Sequence, residues 1–163
     1  VASETYTATS APIQYAAVRA FEGGIEIENY LTNARSILRN LGRRIWRQLR
    51  DTGANVNEPV GAFYLFPDFS PMKDELATRG ITDSPALCEK LLEETGVATL
   101  PGTEFGRPQN ELTLRLAYVD FDGARALAAT EQLTAAKDLD REFLELYCPN
   151  VTHAISAICN WIK

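Results

Sequence analysis

The sequence predicts an α/β chain of the α+β kind: a small mixed or antiparallel sheet of about three to four strands packed against helices, with one long helix near the N-terminus. Three observations predict it. From about residue 25 to 52, Ile27, Leu31, Ala34, Leu38, Leu41, Ile45 and Leu49 recur at steps of three and four, the period of an amphipathic helix. Stretches at 61–69, 97–100 and 112–119 are rich in aromatic residues or alternate in polarity, as strands do. Helix start and stop residues separate them: Asp83 or Ser84 beside Pro85, Gly96 after the next apolar run, and Asp122 ahead of a run to about Lys137.

The elements follow in order. Residues 1–12 are small and polar and read as an extended lead-in. Pro12 can open a short helix over 12–21, because its missing N–H would be unpaired there. Gly23-Gly24 interrupts that helix, and Gly53 is a stop signal for the long one. Pro67 ends the strand at 61–69 or places it at an edge. Residues 70–82, with Pro71 and Gly80, read as a loop, and so do 101–110. The tail, 138–163, reads as one or two helices broken near Pro149.

Composition narrows the function classes. The 163 residues are 45% hydrophobic and 23% charged, which excludes wholesale disorder. No apolar run approaches the roughly 20 residues of a membrane span. Sixteen basic against 22 acidic side chains give a net charge of −6, so the broad cationic footprint of a nucleic-acid binder is absent. Cys88, Cys148 and Cys159 show no CxxC spacing and read as reduced thiols of a cytoplasmic protein. Twelve of the basic residues are Arg. Arg35, Arg39, Arg43 and Arg47 repeat every four residues on the long helix, either as an anion- or partner-binding strip or, more plainly, as a solvated helix face.

Most catalytic signatures are missing: no GxSxG, HExxH, Walker loop or GxGxxG occurs. The single His153 reads as surface or packing and Cys88 as a small core residue; no metal site is expected. One constellation remains. Gly61-Ala-Phe-Tyr-Leu-Phe-Pro is followed by Gly96-Val-Ala-Thr-Leu-Pro-Gly-Thr-Glu-Phe-Gly106 and then by Leu114-Arg-Leu-Ala-Tyr118. Leu114, Leu116 and Tyr118 share one face of that last strand, and Arg115 lies on the other with Thr113 and Ala117. A guanidinium on a mostly apolar strand needs an anion, either a ligand or an internal carboxylate.

This constellation resembles the C-terminal small domain of the class I/II aminotransferases, the pyridoxal-phosphate enzymes of the aspartate aminotransferase fold. Ser10-Ala-Pro-Ile-Gln-Tyr-Ala-Ala-Val18 is similar to the stretch where such enzymes pass from the large domain into a long connecting helix. The resemblance implies a tail of the large domain over 1–22, a small domain over 23–137 and a helical extension over 138–163. It implies that Arg115 grips the substrate α-carboxylate, and that Gly61 and Phe63 face the substrate, although a strand start and a core aromatic describe those two equally well. It implies an amino acid and a 2-oxo acid as substrates, pyridoxal phosphate as cofactor, and a homodimer of the whole enzyme.

None of Lys73, Lys90, Lys137 and Lys163 lies upstream of Ser10, where the family's Schiff-base lysine would be. The chain alone is therefore expected neither to hold the cofactor tightly nor to transaminate. A stand-alone binding or interaction module of the same fold, and a pyridoxal-phosphate lyase or synthase of that fold, are the alternatives.

Overall fold

The structure is a computed structural model that describes residues 9–133 and 139–163. Helix α1 spans Ala11–Phe21, with Pro12 in its first turn, and carries no buried residue. Ile13, Tyr15, Val18 and Phe21 on it are all exposed. Helix α2 spans Ile25–Arg50. Its apolar stripe is only half-buried from Ile27 to Leu38, then fully buried at Leu41, Ile45 and Leu49. Burying each such side chain contributes roughly 1.5–3 kcal/mol. Trp46 Nε1 donates to the Val56 carbonyl at 3.0 Å and ties α2 to the chain that leads into the sheet.

The sheet has three antiparallel strands in the order β1–β3–β2, with β1 at Tyr64–Leu65, β2 at Leu100–Pro101 and β3 at Leu114–Ala117. The labelled strands are shorter than the sequence predicts, and for β1 proline accounts for it. Pro67 stands at a hydrogen-bonded position opposite Leu114 and has no N–H to give to β3, so the ladder is broken beside it. The register nevertheless runs on: Tyr64 pairs with Ala117, Leu65 with Leu116 and Asp68 with Thr113. Tyr118 N donates to Phe63 O at 3.1 Å and Phe69 N to Leu112 O at 2.8 Å. On the other side Leu100 lies opposite Arg115 and Pro101 opposite Leu114. About a dozen residues join the paired strands β2 and β3, including a 3₁₀ turn at Gly102–Phe105.

A second difference lies at 70–82, which reads as a loop in the sequence. It contains a 3₁₀ turn, Ser70–Met72, running into α3, Lys73–Thr78. Pro71 opens the turn and Leu76, almost fully buried, anchors the helix. Two helical turns are too short to show a period. Helix α4, Ser84–Thr95, is capped by Asp83, whose carboxylate accepts from Ala86 N at 2.9 Å, and ends at Gly96 in the left-handed region.

Helix α5 spans Gly123–Glu131, capped by Asp122. The predicted continuation to Lys137 falls largely on 134–138, outside the described residues. The tail forms two helices, α6 at Arg141–Tyr147 and α7 at Pro149–Trp161, divided at Pro149 as predicted.

The core lies between the helices and one face of the sheet. Leu65, Leu112, Leu114, Leu116 and Tyr118 point into it and meet Leu41, Ile45, Leu87, Leu91 and Ile155. Two glycines permit close approaches. A Cβ on Gly42 of α2 would come within 2.8 Å of the Tyr118 hydroxyl and 3.0 Å of its ring. A Cβ on Gly102 would run into the Thr113 hydroxyl. The C-terminal helix is fastened at its far end: Trp161 Nε1 donates to Glu94 at 2.6 Å, Arg79 bonds both Glu94 and the Trp161 carbonyl, and its guanidinium lies 4.1 Å from the indole centre.

Two expectations follow from this packing. Gly42→Ala, favourable for the helix itself, should lower stability by about 1–3 kcal/mol, because Tyr118 must shift; a raised denaturation midpoint would contradict it. The Trp161 hydrogen bond, with Arg79 in support, holds the Glu94 carboxyl below its usual range. A lowered folded-state value means the stabilisation is complete above the unfolded value of about 4.3 and lost as pH falls through the folded one. The Trp161 indole N–H resonance should therefore titrate with a midpoint below about 4.3. A midpoint at or above that value would remove Glu94 from the clasp.

Candidate functional site

The sheet face turned away from the core carries the candidate site. In the β1–β3 register Phe66 falls opposite Arg115, and Tyr64 lies on the same face opposite Ala117. Leu100 of β2 flanks Arg115 from the other side. Phe105, from the 3₁₀ turn after β2, folds back over the same spot. Tyr64, Phe66, Leu100 and Phe105 are 40, 37, 44 and 41% exposed, an unusual concentration of apolar surface around one cation.

Arg115 is half-buried in this collar. Its guanidinium carbon lies 4.5 Å from the ring centre of Tyr64 and 4.5 Å from that of Phe105. Phe66 packs edge-on against Phe105 with ring centres 5.7 Å apart, which braces the second ring. Among the described residues Arg115 makes no salt bridge; the carboxylates of the ion pairs present are all held by other cations. The internal-carboxylate reading of Arg115 therefore finds no partner here. Stacking against rings engages the faces of a planar guanidinium and leaves its N–H edge for a planar oxyanion.

The structure separates the three residues that the sequence singles out. Phe63 belongs to the alternate set of β1 residues. It is half-buried against the core, its ring centre 4.4 Å from that of Tyr64, and its carbonyl accepts from Tyr118 N. Gly61 lines a cavity of about 590 Å³ between α2 and the 58–62 segment. The side chains that do surround Arg115 were partly legible: Tyr64 and Phe66 share the parity of a solvent-facing set. Leu100 and Phe105 join them only through tertiary pairing.

The remaining candidates have ordinary settings. His153 is exposed on α7. Cys88 is buried and accepts from the Thr99 hydroxyl at 3.3 Å; burial raises its pKa, partly offset by that bond. Cys148 is pushed up to about 11 by burial, and all three thiols are free. Among the described residues no cluster could hold a metal ion, and no helix is long and apolar enough to cross a membrane.

Comparison with known proteins assigns the family. The sequence matches aminotransferase class I and II over residues 1–129, and the chain belongs to that family. It is 30% identical over 141 residues to an asparagine–oxo-acid transaminase of Streptococcus mutans, covering 86% of this chain and 31% of that protein. It is 35% identical over 111 residues to an aspartate/prephenate aminotransferase of Cereibacter sphaeroides, covering 67% and 26%. An aromatic aminotransferase structure from Pyrococcus horikoshii aligns with a TM-score of 0.60 over 93% of this chain and 31% of its own, at 23% identity, and so supports the fold. The chain thus spans about a third of the length of the relatives it matches.

The family depends on pyridoxal phosphate in general. The residues here do not fit that group: no lysine stands among the side chains grouped around Arg115, and Lys90 is paired with Glu93 at 3.1 Å on α4.

The collar around Arg115 makes a measurable claim. A double-mutant cycle of Arg115→Met and Phe105→Leu, followed by chemical denaturation, should return a favourable coupling of about 0.5–1 kcal/mol. A coupling of zero would mean the ring does not hold the guanidinium.

Proposed function

We propose that this chain is the substrate-carboxylate-binding part of a pyridoxal-phosphate-dependent transaminase that moves an amino group between an amino acid and a 2-oxo acid. The observation that carries the reading is Arg115: a half-buried guanidinium flanked by two rings, with no carboxylate partner among the described residues. Its fork can take both oxygens of an α-carboxylate, common to the amino acid and the oxo acid, in a paired contact. That contact fixes the orientation of the Cα–H bond before the chemistry begins. The apolar collar lowers the local dielectric and strengthens the pair.

The cofactor is assigned to the part of the fold that the relatives possess beyond the matched third. In this reading residues 1–22 link to a large domain, 23–137 form the small domain and 138–163 a helical extension. The apolar side chains of α1 support the first assignment, since Ile13, Tyr15, Val18 and Phe21 are all exposed. The small domain closes over the substrate and excludes water, with Tyr64 and Phe105, the rings that flank Arg115, on the substrate side of the closure. A cytoplasmic homodimer is the expected assembly, in keeping with the reduced thiols.

Steady-state kinetics of the full-length enzyme test this. Arg115→Ala should lower kcat/KM for the amino acid by roughly 30-fold or more, mainly through KM, the loss expected when a charged pair is broken. Arg115→Lys should recover little, because a point charge cannot reproduce the paired contact. Unchanged kinetics in both variants would remove Arg115 from the site.

A further inference from the structure

The arginine repeat on α2 takes no part in the Arg115 site, and the structure gives most of it a setting of its own. Arg35, Arg39 and Arg43 line one wall of the cavity of about 590 Å³, whereas Arg47, one turn further on, does not. The lining holds a single carboxylate, Glu58, and Arg43 Nε already bonds it at 3.1 Å. Arg35 and Arg39 make no ion pair among the described residues. Four residues of helix set them about 6 Å apart along one face, so both guanidiniums address the same space.

The facing wall is fixed. Ala62 has a φ of 58°, a region that residues with a side chain seldom occupy. Its carbonyl accepts from the Tyr118 hydroxyl at 3.2 Å, and Tyr118 is closed against Gly42. The 61–62 end of the segment is thereby tied to the sheet, while Glu58 at its other end reaches only Arg43. Leu38, Pro59 and Val60 add apolar lining. Tyr118 points to the helix side of β3 and Arg115 to the other side, so the two cationic places are distinct.

We propose that this cavity is a second anion site, which binds an organic dianion through Arg35 and Arg39. Three guanidiniums and one carboxylate leave the lining with a charge of +2, which a dianion neutralises and a monoanion does not. The apolar wall suits a ligand with a carbon body. A phosphate monoester and a dicarboxylate share this chemistry, since both present planar or paired oxygens to an arginine fork.

Titration of the full chain with inorganic phosphate and with glutarate, at low ionic strength and with the phosphate doubly charged, tests the site. Saturable binding is expected, weakened at least about tenfold in Arg35→Gln/Arg39→Gln, as the loss of charged hydrogen bonds requires. Glu58→Gln should tighten binding, because it removes the one negative lining charge and frees Arg43; a misfolded variant could not mimic that gain. Arg47→Gln, on the same helix but outside the lining, should leave binding unchanged. Saturation by phosphate alone assigns a single-centre oxyanion, and saturation by glutarate alone assigns paired carboxylates. Absence of saturable binding for both probes, or equal weakening by Arg47→Gln, would overturn the proposal by reducing the repeat to diffuse surface charge.

Discussion

The alternation of the central strand governs where everything else can go. Leu114, Leu116 and Tyr118 are buried against the helices, and strand geometry then obliges Arg115 to face the other way. A register slip of one residue would carry the guanidinium into the core and three large apolar groups out of it. An unpaired buried charge costs several kcal/mol, on top of the lost burial of those groups. The position of the cation is thus set by the hydrophobic side of the strand. Pairing on both edges of β3 makes the setting firm, with Leu65 opposite Leu116 on one side and Leu100 opposite Arg115 on the other.

That constraint also explains why Arg115 makes no salt bridge among the described residues. A flexible surface arginine would find one of the chain's 22 carboxylates at modest cost. Arg115 is held between Tyr64 and Phe105, and Phe105 is braced by Phe66. The rings satisfy the cation partly through their quadrupoles while supplying no acceptor. Holding the group ready in this way lowers the ordering cost of binding a carboxylate. The exposed apolar area around it is the counterpart of that preorganisation.

Local signals made much of this legible in the sequence. The period of α2, the cap of α4 at Asp83, one of the two candidates, its stop at Gly96, the Asp122 cap of α5 and the division at Pro149 all act within a few residues, and the structure has each of them. The parity argument for Arg115 also uses only neighbours in the chain. Helix α3 was illegible because six residues carry no period and its hold on the core is the single Leu76. The collar was only partly legible, for a different reason: its members come from positions 64, 66, 100 and 105, and only the antiparallel pairing brings them to one place. Phe63 and Tyr64 show the same limit. They are adjacent and similar, and the choice of which faces Arg115 depends on register, which is a property of two strands.

The charge balance bears on both cationic places. The chain is acidic overall, yet residues 1–53 carry 7 basic and 5 acidic side chains, so α2 lies in the positive part. At physiological ionic strength the screening length is about 8 Å, shorter than the span of the domain, so the distant surplus of carboxylates has little hold on an anion already in contact with a guanidinium. It acts at longer range, where a net charge of −6 slows the approach of any anion. Both places therefore depend on short-range geometry: edge-on access to a stacked guanidinium at Arg115, and convergent forks against a fixed wall at Arg35 and Arg39. A surface of scattered lysines would provide the charge without either geometry, and the chain's preference for arginine, 12 of its 16 basic residues, fits that requirement.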